Sequence, residues 1–337
     1  MREFKILVIV AVVVGIIYWG VEPLAHSIMH PKVSAANYDF KEADAEAIEQ
    51  IKKQIPLAEQ KLQAAKEAKD DKEIKQAQKK LDKLQNNLAQ LEAFWNDIDF
   101  SQGNAQEGKA IIMEQCLTCH NVASQGLTRI TGQSDEEVAA AYGVLPPDLS
   151  NIASVLDRNY LAHFIKNPIL ASKLWEKDDF NHAMPPYMHF SDKELADVVV
   201  YLESIAPKEL SDKEAFEQSC ARCHSVNYDS VPALSNPSDV ERYLGKKAPD
   251  LSMMIRSRGA DYLEKFINDP QKLLANTSMP RVGATQKAEK QIIAYLESVG
   301  DSKKAERESL GFKIIIFFVV MSILAYLWKR KIWNDLH

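Results

Sequence analysis

The sequence predicts an all-α chain in which two membrane-spanning helices bracket a helical hairpin and two copies of a repeated helical unit. Three observations carry this reading. Apolar runs lie near both ends, a heptad-like apolar stripe fills residues 41–95, and from about residue 101 the chain repeats itself. A length of 337 residues suffices for two or three domains. The charged and apolar fractions are those of folded protein. A formal net charge of -6 gives no reason to expect nucleic acid as a partner.

The first apolar run covers residues 6–21, follows Arg2 and Lys5, and is interrupted only by Gly15 and Gly20. It reads as a membrane span or a signal peptide. Val33-Ser34-Ala35 would suit signal cleavage but lies far beyond the run. An uncleaved anchor is therefore expected over residues 1–24, with a linker over 25–40. The second run covers residues 314–328; residues 310–313 can extend it because Lys313 can snorkel to the interface. It is short for a span of about 20 residues, but otherwise uncharged. Lys329-Arg330-Lys331 follows, giving an anchor with a basic tail over residues 301–337. Either run could instead be a buried core helix, but the aromatic and basic residues at its ends argue against that. The basic flanks place both termini in the cytoplasm and residues from about 26 to 309 outside. His26 and His30 are expected as exposed interfacial residues.

Residues 41–98 read as an antiparallel helical hairpin of coiled-coil type. Ile48, Ile51, Ile55, Ala58, Leu62 and Ala65 alternate steps of three and four, as do Ile74, Ala77, Leu81, Leu84, Leu88 and Leu91. The two stripes are out of phase across Lys69-Asp70-Asp71-Lys72, so one straight helix would lose its seam there. A turn at Asp70-Asp71 keeps the stripes in contact. Pro56 either kinks the first arm or sits in its first turn. Such a hairpin is a docking arm for another subunit or a self-packed spacer; the seam supports either.

The rest of the chain is a duplication. Pro147-Asp148-Leu149-Ser150 returns as Pro249-Asp250-Leu251-Ser252, and Tyr160-Leu161 with Phe164-Ile165 returns as Tyr262-Leu263 with Phe266-Ile267. Met184-Pro185 returns as Met279-Pro280, and Tyr201-Leu202-Glu203-Ser204 as Tyr295-Leu296-Glu297-Ser298. Two consecutive domains are expected, residues 101–207 and 208–300. Each reads as helices joined by loops, with the Met-Pro loop just before the last helix.

Each copy begins with a cysteine motif, Cys116-Leu117-Thr118-Cys119-His120 and Cys220-Ala221-Arg222-Cys223-His224, and these use all four cysteines. C-x-x-C-H is the attachment signature of c-type haem. Two thiols reach two haem vinyl groups, and the adjacent histidine sits under the iron as proximal ligand. Two C-x-x-C pairs could instead hold one zinc ion, but that leaves both histidines unexplained. A thioredoxin-like pair would need a βαβ pattern, and none is visible. Two covalently bound haem c groups are expected. Haem c is completed on the outer side of the bacterial membrane, which agrees with a periplasmic location for both copies.

With C-x-x-C-H, a Pro-x-Leu segment, Met-Pro and a closing Tyr-Leu helix in order, each copy resembles a class I cytochrome c domain. The resemblance implies that Met184 and Met279 are the distal iron ligands. It implies that the Pro147 and Pro249 carbonyls accept the second ring N–H of His120 and His224. It also implies that Leu149 and Leu251 pack on the haem faces. The repeat argues against rival ligands. His163 matches Lys265, Met253 and Met254 match Asn151 and Ile152, and Met188-His189 matches Gly283-Ala284. Methionine and histidine together leave no open position on the iron, the arrangement of an electron carrier.

Tandem domains followed by a C-terminal anchor and basic tail resemble the dihaem cytochrome c subunit of bacterial cytochrome bc complexes (quinol:cytochrome c oxidoreductases). That resemblance implies cytochrome b and Rieske iron–sulfur partners, a soluble cytochrome c or terminal oxidase as acceptor, and a dimeric complex. The N-terminal anchor and the hairpin depart from the single-haem subunit of such complexes. The alternatives are the dihaem subunit of a cbb-type terminal oxidase, a dihaem peroxidase, and a haem-based sensor or scaffold. Residues 101–207 carry 14 acidic and 7 basic side chains, against 13 of each in 208–300. Clusters at Asp135-Glu136-Glu137 and Asp178-Asp179 are either a solvated face or a surface that steers a basic partner.

Overall fold

The computed structural model describes residues 2–29, 37–177 and 180–336. Val33-Ser34-Ala35, His30 and Asp178-Asp179 lie outside the described residues. Among the described residues the secondary structure is helical, with isolated bridges and no β-strand.

Helix α1 (Arg2–Ile16) runs through a π-helical turn, Ile17–Val21, into α2 (Glu22–Met29). Phe4–Val21 is one of two segments long and apolar enough to cross a membrane. The other lies in the last helix (Lys304–Leu336), and no residue of either window is buried within the molecule.

Helices α3 (Phe40–Ala68) and α4 (Asp71–Glu92) pack side by side along their two stripes. Ile51, Ala58, Leu62, Ala65, Leu81, Leu84 and Leu91 are buried, and Ile48, Ile55, Ile74, Ala77 and Leu88 flank them. The reversal falls at Lys69-Asp70. Lys69 takes a left-handed conformation (φ 54°), and the Asp70 carboxylate accepts the backbone N–H groups of Lys72 and Glu73 as the cap of α4. The Lys52 ammonium lies 3.0 Å from Glu92, so the two helices run in opposite directions. Pro56 lies well inside α3, which continues past it.

The first copy of the repeat holds α5 (Ala105–Ile111), α6 (Asp135–Tyr142), α7 (Ile152–Val155), α8 (Arg158–Lys166), α9 (Pro168–Ala171) and α10 (Asp192–Ile205). The second holds α11 (Asp212–Ser219), α12 (Pro237–Leu244), α13 (Met254–Arg258), α14 (Ala260–Phe266), α15 (Pro270–Leu273) and α16 (Gln286–Gly300), after which α17 (Lys304–Leu336) begins. In each copy the first and last helices cross, α5 on α10 and α11 on α16. Gly108 permits the first crossing: a Cβ there would stand 2.0 Å from the Asp197 carbonyl oxygen. Ser134, Ser191 and Ser211 each start a helix with a reciprocal Ser–Glu capping box.

One apolar core runs through both copies, joining Ile112, Leu195 and Val199 to Phe216, Ile292 and Leu296. Backbone bonds cross between them: Asp157 donates to the Gly283 carbonyl at 2.9 Å, and Thr285 to Val155 at 2.9 Å. The Tyr160 hydroxyl donates to the Arg281 carbonyl at 2.8 Å. A second apolar cluster seats Phe40, Phe94 and Trp95, at the open end of the α3/α4 pair, on Tyr160, Leu170 and Ala171 of the first copy.

Candidate functional site

Each cysteine motif comes after the first helix of its copy. In the first, α5 widens into a π-helical turn, Ile112–Cys116, in which Leu117 N–H bonds back to Ile112 at 3.1 Å. Such turns insert one extra residue and re-aim the side chains beyond it, here the thiols. The second copy reaches Cys220 directly from α11. In both, the histidine backbone N–H closes a turn on the first cysteine carbonyl at 3.0 Å.

The two histidines are oriented alike. His120 Nδ1 lies 2.8 Å from the Pro147 carbonyl, and His224 Nδ1 lies 2.8 Å from the Pro249 carbonyl. A carbonyl only accepts, so Nδ1 carries the proton and Nε2 keeps its lone pair. Burial pulls both imidazoles below the ordinary histidine range, which favours the neutral form a metal needs. The two Pro-Asp-Leu-Ser segments are fixed by matching bonds. Leu149 N–H donates to Asn121 at 2.8 Å and Leu251 N–H to Ser225 at 2.9 Å. Leu149 is buried and Leu251 half-buried.

All four cysteines are free of disulfides. Burial pushes the Cys116 and Cys220 thiols up to about 12. They are therefore not poised as thiolates, as a thiol–disulfide exchange pair would be. Among the described residues no three His, Cys, Asp or Glu side chains converge as metal-binding groups do. Beside the second motif lies a cavity of about 410 Å³ whose walls include Cys223, Asn227, Lys247 and Pro249.

Met184 and Met279 are half-buried. Met184 packs on the apolar core; its N–H donates to His182 Nδ1 at 3.0 Å, and the neighbouring Ala183 N–H donates to the Tyr243 hydroxyl at 2.9 Å. Met279 N–H donates to Thr277 Oγ1 at 3.3 Å, and its carbonyl accepts from Gln271 at 3.1 Å. The rivals stand elsewhere. Met188 is 57% exposed and Met253 43% exposed. His163 is buried among Phe94 and Trp95, with Nδ1 bonded to the Asn159 carbonyl at 2.7 Å.

Buried donors without a partner fit a haem, whose propionates are anionic. Among the described residues, Arg222 Nε, Trp175 Nε1 and Arg129 Nε are buried without a hydrogen-bond partner. The positive charge of Arg222 acts on His120 and His182 of the first copy as well as on Cys220 and Cys223 of its own, so it lies within reach of both copies. In the sequence Arg222 stands only as a spacer residue of its own motif. The docking of the two copies is what reveals its reach.

A family model described as cytochrome c matches residues 105–206 and again 213–300, together more than half of the chain. The chain belongs to the cytochrome c family. Covalently bound haem c and one-electron transfer come with membership. Among characterised relatives, the ammonia monooxygenase gamma subunit of Nitrosomonas europaea (strain ATCC 19718 / CIP 103999 / KCTC 2705 / NBRC 14298) is 23% identical, the match covering 39% of this chain and 88% of that one. Among solved structures, a chain of a hyperthermophilic respiratory Complex III is 25% identical with a TM-score of 0.31, covering 37% of this cytochrome and 75% of that chain.

Proposed function

We propose that this cytochrome is the membrane-anchored dihaem subunit of a quinol:cytochrome c oxidoreductase. It passes single electrons from a Rieske iron–sulfur protein, held beside cytochrome b, to a soluble cytochrome c or a terminal oxidase. The observation that carries the dihaem reading is the duplicated histidine geometry, the same 2.8 Å bond to a proline carbonyl in both copies. In this reading residues 101–207 and 208–300 are two cytochrome c domains, each holding one haem. Cys116, Cys119, Cys220 and Cys223 make the thioethers. His120 and His224 are the proximal ligands, Met184 and Met279 the distal ones, and Leu149 and Leu251 lie against the haem faces.

The haem supplies the one-electron couple. The protein residues hold it, exclude water and fix the histidine tautomer through Pro147 and Pro249. Methionine as second ligand raises the potential above that of a bis-histidine haem. The same arrangement suits an electron carrier attached to a monooxygenase, the enzyme named in the Nitrosomonas relative. In this reading residues 1–24 and 301–337 anchor the chain in the bacterial inner membrane, with its haem domains in the periplasm and both termini in the cytoplasm. Residues 41–98 form a helical hairpin beside the haem domains.

The support for a bc complex is the layout of tandem domains, C-terminal anchor and basic tail. The N-terminal apolar helix favours a second reading, the dihaem subunit of a cbb-type oxidase. Mild-detergent purification of the tagged chain separates them. Co-purification of cytochrome b and a Rieske protein supports the first, and a haem–copper oxidase in their place overturns it.

A further inference from the structure

We infer that the α3/α4 pair is a clamp on the second Met-Pro loop, with Asp44 as a positioning residue for Met279. This rests on the reading of Met279 as the distal ligand of the second haem.

Arg281 comes two residues after Met279 and is only 1% exposed. Its guanidinium meets the Asp44 carboxylate through two bonds, 2.5 and 3.1 Å, and its Nε donates to the Asn268 carbonyl at 3.1 Å. Asp44 lies near the start of α3 and is itself 1% exposed. It also accepts from Trp95 Nε1 at 2.7 Å and lies 3.4 Å from the Lys173 ammonium, which in turn bonds Asp269 at 2.8 Å. These four buried charges sum to zero and come from three parts of the chain: Asp44 from α3, Lys173 from the first copy, Arg281 and Asp269 from the second. The Arg281 backbone is held as well, its N–H by Ser172 at 2.9 Å and its carbonyl by Tyr160 at 2.8 Å.

Among the described residues the first copy shows no such device. Pro186, at the place matching Arg281, is exposed and cannot pair with an acid. The clamp therefore belongs to one haem and gives two otherwise similar sites different rigidity. Arginine does not shed its proton in a protein, so without Asp44 the cluster sets two cations, Lys173 and Arg281, against Asp269 alone, and the excess positive charge draws Arg281 toward water. Reaching water requires the segment from Met279 to Arg281 to move, and the thioether sulfur moves with it.

The test uses the full-length, haem-loaded protein in detergent. In Asp44→Asn, the methionine-to-iron charge-transfer band of the ferric protein falls to about half, the share of one of two similar sites. The reduced protein then binds one carbon monoxide per chain. Combining Asp44→Asn with Met184→Leu gives two, whereas combining it with Met279→Leu adds none. Asp44→Glu restores part of the band. A Met279→Leu variant that binds carbon monoxide beside an Asp44→Asn variant that keeps its full band overturns the clamp alone. A Met279→Leu variant that keeps its full band overturns the ligand reading. Should Asp44→Asn fail to accumulate, Trp95→Phe removes one bond to Asp44. Carbon monoxide then binds the second haem on the order of tenfold faster, and an unchanged rate overturns the inference.

Discussion

At the scale of single residues, the two sites rest on a few atoms whose partners are identifiable. Met184→Leu and Met279→Leu are each expected to open one iron to carbon monoxide while the thioethers keep the haem attached. Optical titration of the reduced protein checks this, and an effect of Met188→Leu instead would move the ligand four residues. Gly283 makes a different test. Its φ is 73°, and a Cβ there would stand 2.0 Å from the Tyr160 ring, at the seam between the copies. Gly283→Ala should cost about 1–3 kcal/mol of stability in denaturant unfolding, more than an alanine placed at an open positive-φ glycine such as Gly126. The motif residues are legible in the sequence because haem attachment demands a fixed covalent spacing. The pairings of Arg222, Arg281 and Asp44 are not legible, because their partners lie far away along the chain.

At the scale of elements, apolar periodicity is a dependable guide wherever one helix face meets another. Each of the twelve stripe residues of α3 and α4 is buried or half-buried between those helices or beside them. Asp44 lies on the continuation of that stripe, four residues before Ile48 and seven before Ile51. A charge at an apolar position is the one sign that this end of α3 faces something other than α4. The same contact buries Glu289 of α16, whose carboxylate accepts from Tyr38 at 2.8 Å and Asn268 at 2.9 Å. Burial pushes Glu289 up from 4.5 to about 7 despite those bonds. The folded state thus holds this proton more tightly than the unfolded chain. Its contribution is complete below about pH 4.5 and is lost as pH rises through 7. The shift corresponds to roughly 3 kcal/mol at most. Unfolding at pH 5 and pH 8 checks it: Glu289→Gln should be more stable than the natural protein at pH 8 and flatten the profile between.

At the scale of the whole molecule, apolar helices at the two ends flank a helical body whose parts share contacts. The basic flanks predict that reporters fused at Met1 and after Lys331 both read cytoplasmic; a mature N-terminus at Ala36 would show a cleaved signal instead. How the copies dock could not be read from patterns, because the contacts at Gly283, Tyr243 and Arg281 depend on shape. The acidic cluster on α6 also reads differently in place. Asp135 pairs with Arg129 and Glu137 closes the Ser134 capping box, so two of its three carboxylates serve the helix end. If the cluster nevertheless steers a basic partner, neutralising Glu136 should flatten the salt dependence of the association rate. The central claim, two covalent haems on one chain, is tested most directly by intact mass measurement of the protein purified from membranes. The expected mass is that of the polypeptide plus two haem groups, with no titratable thiol; a bare polypeptide, a single haem, or cysteines paired as disulfides would contradict it.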